Sequence, residues 1–443
     1  MLTVARRLRP LLSRSSLLSC RLNAALGPSL RPLSLNIQTP LNILTPLVPH
    51  RAFAGQPTFR INQELRDLRN AGNHRRQTAK LIQVVNTAAR NNSKLNMYTM
   101  SSLMNKVGKF KLSLTSHMEP GVVEWLIGEV KRCTQLDGQA VGNALYGLQG
   151  MQSNDAVDGL LRALTVKVKQ CGEELNGQAV GNALYGLQGM ESSDAVDGLL
   201  RAVAVKVEQC GEELDGQAVG NALYGLQGMS ETADVVDLLA VLLPLLQRCD
   251  GMNCMSLSQA LYGVHHLEGA AQIKATLLDK LRESTPQNLD HPDHTAADLM
   301  STLQLMGNAD STMVPPHIVT EADSHARAIE GVPQSLFERR VQSFIGTCEL
   351  NTPVLFNGFH HGFEMDVFLP EEKLNLELDG PHHNKVVQKR RDERRDRYLE
   401  ARHGVYVRRL THSDWQLLRQ DSDSERLMTM LLRRCDAGDA DVN

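Results

Sequence analysis

The chain has 443 residues, a formal net charge of −3 and 42% hydrophobic residues, enough material for two to four domains with genuine cores. No apolar run reaches about 18 residues, so a membrane-spanning helix is not expected. Aromatic residues make up only 4%, which disfavours a thick globular core and suits thin layers of helices.

Taken in chain order, the first feature is charge segregation. Residues 1–63 contain eight Arg and no Asp, Glu or Lys, and Leu and Ser dominate the remainder. An Arg- and Ser-rich, acid-free leader reads as a mitochondrial transit peptide, which a negative-inside import potential would draw into the matrix. Residues 1–55 are assigned to it, with cleavage expected near Arg51 to Ala54.

Three near-identical segments follow: Leu136 to Met151 (LDGQAVGNALYGLQGM), Leu175 to Met190 (LNGQAVGNALYGLQGM) and Leu214 to Met229 (LDGQAVGNALYGLQGM), each starting 39 residues after the last. A fixed period of this size predicts an α-solenoid, because one short unit cannot bury its own apolar face. Each unit predicts two helices. The first spans about Gln139 to Leu148, with Val141, Ala144, Leu145 and Leu148 on one face and Asp137, Asn176 or Asp215 as N-cap. The second spans about Asp155 to Gln170, with Ala156, Val157, Leu160, Leu161, Leu164 and Val168 inward, Ser153 or Asn154 as cap, and Asp155 and Asp158 at its positive end. Worn copies at Leu95 to Val107, Leu261 to Gly263 and Leu299 to Gly307, with a helical pattern over 64–90, extend the array to 64–310. Cys133, Cys171, Cys210 and Cys249 recur once per unit with no CxxC pair, as small buried hydrophobes would, and no zinc site is indicated.

Gly307 to about Val332, with Pro315-Pro316 and few large hydrophobes, predicts a connector, assigned to 311–334. From 335 to 435 the pattern changes to strands over Phe363 to Leu369, Leu374 to Leu378 and Val405 to Leu410, with a charged helix over Val386 to Arg402 and a last helix over Ser424 to Arg434. That order describes a small α/β domain, ahead of a tail at 436–443. If the first two strands pair as a hairpin, Asp366, Glu377 and Asp379 converge. Clustered carboxylates repel unless a cation sits among them, so a divalent ion such as Mg²⁺ would be the cofactor of a nuclease, with His382 or His383 as proton shuttle or phosphate ligand, while a binding domain requires no cofactor. Residues Lys385 to Arg409 hold ten Lys or Arg against four acids, a face suited to phosphates, with Lys385, Lys389, Arg390 and Arg394 the best candidates.

The run Phe363 to Trp415 resembles the RAP domain of organellar RNA-binding proteins. The matching residues are Leu376-Glu377-Leu378-Asp379-Gly380-Pro381-His382, the basic helix after them, Gly404-Val405-Tyr406-Val407 and Asp414-Trp415. The resemblance implies a restriction-endonuclease-like fold related to the very-short-patch-repair branch. Asp379 stands where the commonest nucleases of that superfamily have a Lys, so either a binding domain or a nuclease using Asp366, Glu377, Asp379 and His382 is implied. The repeats look like octotricopeptide-type repeats, which implies a reader taking one base per unit through Asn143, Asn182 and Asn221 beside Gln139, Gln178 and Gln217. Three identical units then favour three identical bases. Tyr146, Tyr185, Tyr224 and Tyr262 are either base-stacking groups or packing between units. Against RNA stands the net charge of −10 over Leu136 to Asp250, from sixteen acids and six bases. The expected fold class is therefore mainly α, an α-solenoid followed by a RAP-type α/β domain. The expected function is binding of mitochondrial mRNA or rRNA in processing, stability, translation or ribosome assembly. A metal-dependent endonuclease and a scaffold for ribosomal or RNA-processing proteins are the alternatives.

Overall fold

The computed structural model describes residues 57–288, 295–307, 314–350, 352–380 and 385–433. The expected leader at 1–55, the tail at 436–443, and His382 and His383 lie outside the described residues. The described chain is mainly helical, with one four-stranded sheet near its C-terminus, and divides into two compact units, at Val319 and Thr320. Among the described residues no helix is long and apolar enough to cross a membrane.

The first unit opens with α1 (Pro57–Arg66), α2 (His74–Arg90), α3 (Met97–Lys109) and α4 (Val122–Arg132). Then come three pairs of a short and a long helix: α5 (Gly138–Tyr146) with α6 (Asp155–Gln170), α7 (Gly177–Tyr185) with α8 (Asp194–Glu208), and α9 (Gly216–Tyr224) with α10 (Ala233–Arg248). α11 (Cys254–Val264), α12 (Ala271–Arg282) and α13 (Thr295–Leu305) follow. Each short helix packs on the next short one, α3 on α5 through to α11 on α13, and each long helix on the next long one, α4 on α6 through to α10 on α12.

Local chemistry sets these elements. Asp137, Asn176 and Asp215 accept the amides of Ala140, Ala179 and Ala218 at 2.6, 2.8 and 2.7 Å, and the long helices start on Asn154, Ser193 and Thr232. The short helices approach closely because the facing residues are small. A Cβ on Gly181 would sit 2.8 Å from the Ala218 Cα, and one on Gly186 would run into the Leu145 carbonyl of the preceding unit. The expected apolar stripes are inside: Val157, Leu160 and Leu161 have no exposed surface. The four Cys of the column are buried and free, with burial pushing the Cys249 thiol up to about 11.

The boundary falls within α14 (Pro316–Ile329), and the second unit continues with α15 (Leu336–Ile345), strands β1 (Leu355–His360), β2 (Phe363–Leu369) and β3 (Leu374–Asp379), then α16 (Val386–His403), β4 (Tyr406–Thr411), α17 (His412–Gln420) and α18 (Ser424–Leu431). The strand order is β1-β2-β3-β4; the first two pairings are antiparallel, and β3 and β4 are parallel across the α16 connection. Leu374, Leu376, Leu378 and Leu410 point to one face and form the core with Val341, Ile345, Trp415, Leu418 and Leu431 from α15, α17 and α18.

From residue 311 on, four elements differ from expectation, the helix α15 among them. The connector expected over 311–334 contains the α14 helix, which starts on Pro316 and buries Ile318 and Ala322 at i, i+4. Strand β1 was not expected: Asn357 has a φ of 38°, which breaks its alternation of buried and exposed residues. Helix α17 begins on a capping box, Thr411 with Asp414, so the Asp-Trp pair has structural work: Asp414 caps and Trp415 packs at 5.4 Å from Phe344.

Candidate functional site

Two surfaces carry the candidate residues, one in each unit. In the first unit, α5, α7 and α9 contain no charged residue. Gln139, Gln178 and Gln217 are exposed on them, with Asn143, Asn182 and Asn221 one turn on, on the same side. Asn143 and Asn182 are half-buried, Asn221 is buried, and the Asn143 Oδ1 accepts from Asn105 Nδ2 on α3 at 2.9 Å. Gln259 on α11 continues the register, 38 residues after Asn221. The structure thus sets the three Asn in one row across successive short helices.

The tyrosines serve packing. Tyr146, Tyr185 and Tyr224 stack on one another with centroids 5.9 Å apart, and Tyr262 adds a fourth ring at 6.1 Å. Their rings lie at the joints between units, which is the packing alternative of the two. Burial raises the Tyr146 hydroxyl above its ordinary value and the Tyr185 hydroxyl well above it.

No acid lies on α5, α7 or α9 themselves. Asp137 and Asp215 are N-caps, and Glu173 and Glu212 reach back to the Gly138 and Gly177 amides of the preceding unit at 3.2 and 3.3 Å. Glu231 holds the amides of Glu268 and Gly269 at 2.7 and 2.8 Å, and Asp234 clamps Arg201 at 2.6 Å. Acids at helix N-termini stabilise the positive ends of the helices. The charge of −10 is therefore concentrated at turns and on the long helices.

In the second unit, the polar face of the sheet brings Asp366, Glu377 and Asp379 together as expected, but arginines occupy the centre. Glu377 Oε2 meets Arg395 at 3.0 Å and its Oε1 accepts from Asn375 at 2.6 Å. Arg409, beside Glu377 in the parallel register, contacts Asp379 at 3.0 Å, Asp392 at 3.2 Å and Asp396 at 2.6 Å. Burial opposes protonation of both guanidiniums, yet the surrounding carboxylates hold their protons more firmly than usual. Burial, followed by repulsion from Glu377, raises the Asp366 carboxyl well above its ordinary range, and its Oδ2 accepts the Leu378 amide at 2.7 Å.

The donor set as placed does not fit a divalent metal. Asp366, Glu377 and Asp379 are each committed to an internal donor, and among the described residues no group of three or more His, Cys, Asp and Glu is set to hold a metal ion. The three carboxylates expected as Mg²⁺ ligands lie in a carboxylate–guanidinium network, in which α16 and β4 supply positive charge beside them. Arg395 and Arg409 were the residues missed. The signal for Arg409 was its place in a strand parallel to the one carrying Glu377.

The basic face is correspondingly smaller. Arg395 and Arg409 are internal, and Arg408 caps α18 by donating to the Met430 and Leu431 carbonyls at 3.1 and 2.5 Å. Of the other seven basic residues of 385–409, six lie on α16 and Lys385 is its N-cap residue. Lys385 and Lys389 are exposed; Arg390 and Arg394 are half-buried and also make contacts within the chain. No protein-family model and no curated protein matches this chain.

Proposed function

We propose that this protein binds single-stranded RNA in the mitochondrial matrix, with a solenoid of 39-residue units ahead of a RAP-type domain. The short helices face the bases through Asn143, Asn182 and Asn221, and α16 meets phosphates first through Lys385 and Lys389 and then through Arg390 and Arg394. The observation that carries this reading is the uncharged amide row in register across successive short helices, with the acids drawn off to the helix ends. Amides discriminate base edges by hydrogen bonding without needing charge, while cations supply affinity without sequence preference. Acting on organellar mRNA or rRNA in processing, stability, translation or ribosome assembly follows from such binding. No catalytic step is assigned to Asp366, Glu377 or Asp379, whose oxygens are engaged as described.

Fluorescence anisotropy with single-stranded RNA across a salt series tests the reading. Four phosphate contacts on a single strand give a log–log salt slope of about −3. Replacing Asn143, Asn182 and Asn221 by Ala should flatten any preference among homopolymers and leave that slope unchanged. Absence of RNA binding, or binding indifferent to salt, overturns it. A second reading, a scaffold for ribosomal or RNA-processing proteins, draws on Val166 and Val205, which are 49% and 50% exposed at equivalent places on α6 and α8. Protein co-purification that survives ribonuclease would favour it.

A further inference from the structure

An open cavity of about 480 Å³ lies where α4 meets α6, lined by Lys131 from α4 and by Gly159, Arg162, Val166, Lys167 and Gln170 from α6. It is separate from the amide row and from α16. Three of its lining residues are cations and none is an acid, within a stretch whose charge is −10 over Leu136 to Asp250.

The three cations are weakly committed. Lys167 is only 6% exposed, and its hydrogen bond goes to a neutral partner, the Gln170 Oε1, at 3.3 Å. A largely buried ammonium with one neutral partner leaves donors and charge unbalanced. Arg162 meets Asp158 only at 3.8 Å. Lys131 is exposed and pairs with no acid among the described residues, because Glu129 is taken by Arg132 at 2.6 Å and by Lys94 at 3.5 Å.

The neighbouring units provide an internal comparison. One unit on, counted against the cysteine column, the same positions hold Lys169, Arg201 and Lys206, but Arg201 is clamped by Asp234 at 2.8 and 2.6 Å. A further unit on they are Glu208, Ala240 and Leu245. The residue opposite Arg162 in the place of Asp234 is Ala195, so nothing neutralises Arg162 as Arg201 is neutralised. Near-identical units therefore diverge at this groove.

We propose that the α4–α6 groove binds a phosphate-bearing anion of nucleoside triphosphate size. Lys131, Arg162 and Lys167 would hold the phosphates by charge-assisted hydrogen bonds, and Val166 offers an apolar contact for the remainder of the ligand. The same phosphate chemistry is presented by free nucleotides and by an RNA backbone. This site does not rest on the RNA reading above: binding at the amide row can fail while the groove still takes a triphosphate.

Isothermal titration of the full-length protein at low salt tests it, with adenosine triphosphate, inorganic phosphate, adenosine and an RNA decamer without terminal phosphate as probes. One triphosphate site is expected, inorganic phosphate should bind more weakly at the same place, and adenosine should not bind. Lys131→Gln with Arg162→Gln, both at exposed side chains, should weaken triphosphate binding on the order of a hundredfold, about tenfold for each cation removed. Lys206→Gln, one unit on, should leave it within about twofold. If the RNA decamer displaces the triphosphate, the backbone is the source of the phosphate; if not, a free nucleotide is. Absence of triphosphate binding, or undiminished binding by the folded double variant, overturns the proposal.

Discussion

The two units handle charge in opposite ways. In the first, acids sit at helix ends, where backbone amides satisfy them, and the short helices are left neutral. In the second, acids and arginines are interleaved under one helix, so that Glu377, Asp379, Asp392 and Asp396 share Arg395 and Arg409. The first arrangement adds charge without creating dependence between distant side chains. The second makes each charge a condition for its neighbours, and removing one partner leaves another stranded in a low-dielectric setting.

The sharpest test of that difference is Arg395→Met. It leaves Glu377 without its guanidinium, and a loss of about 3–5 kcal/mol in unfolding free energy is expected from denaturant titration. Adding Glu377→Gln should recover part of the loss; a single variant as stable as the parent would show that the network carries no weight. Next in size, Gly186→Ala drives a methyl into the Leu145 carbonyl and should cost about 1–3 kcal/mol, read as a lower melting temperature. Removing the Asn154 cap with Ala should cost about 1 kcal/mol, the modest loss expected where charges and caps act one at a time.

Asp366 adds a pH-dependent contrast. Its folded-state pKa is raised from 3.8, so the folded chain retains a proton that the unfolded chain releases, and its contribution to stability is lost as pH rises from that value toward the folded pKa. Asp366→Asn keeps an oxygen for the Leu378 amide and removes this penalty. It should stabilise the protein at pH 7, with the gain shrinking as pH falls toward 4, as thermal melts across pH would record. The smallest effect is on α16: Lys385→Gln with Lys389→Gln should leave stability within about 0.5 kcal/mol and reduce the RNA salt slope by about 1.4.

How much of this was legible differs between the units for a physical reason. The helices of the repeats follow from local signals, and α6 runs from Asp155 to Gln170 as its stripe and caps indicate. The C-terminal strands β2 and β3 and the hairpin between them were legible from alternation. The internal role of Arg395 and Arg409 was not, because an arginine on a charged helix looks the same in sequence whether it faces water or a buried glutamate. Helices α15 and α17 did leave a trace, since Ser335 with Glu338 and Thr411 with Asp414 both show the spacing of an N-terminal capping box. Helix α14 was hidden by a composition of Ser, His and Asp that also suits a loop.

The joint from Glu173 to the Gly138 amide is repeated from Glu212 to Gly177, and the tyrosine spacing across the two is the same 5.9 Å. A protein assembled through interchangeable seams can change length without inventing a new interface. Excising 175–213 would bring Glu174 against Leu214, a junction equivalent to the one already present at Glu174 and Leu175. Gene-level slippage at these copies would therefore yield shorter or longer siblings that still fold, so the number of bricks is a quantity selection can adjust in single steps.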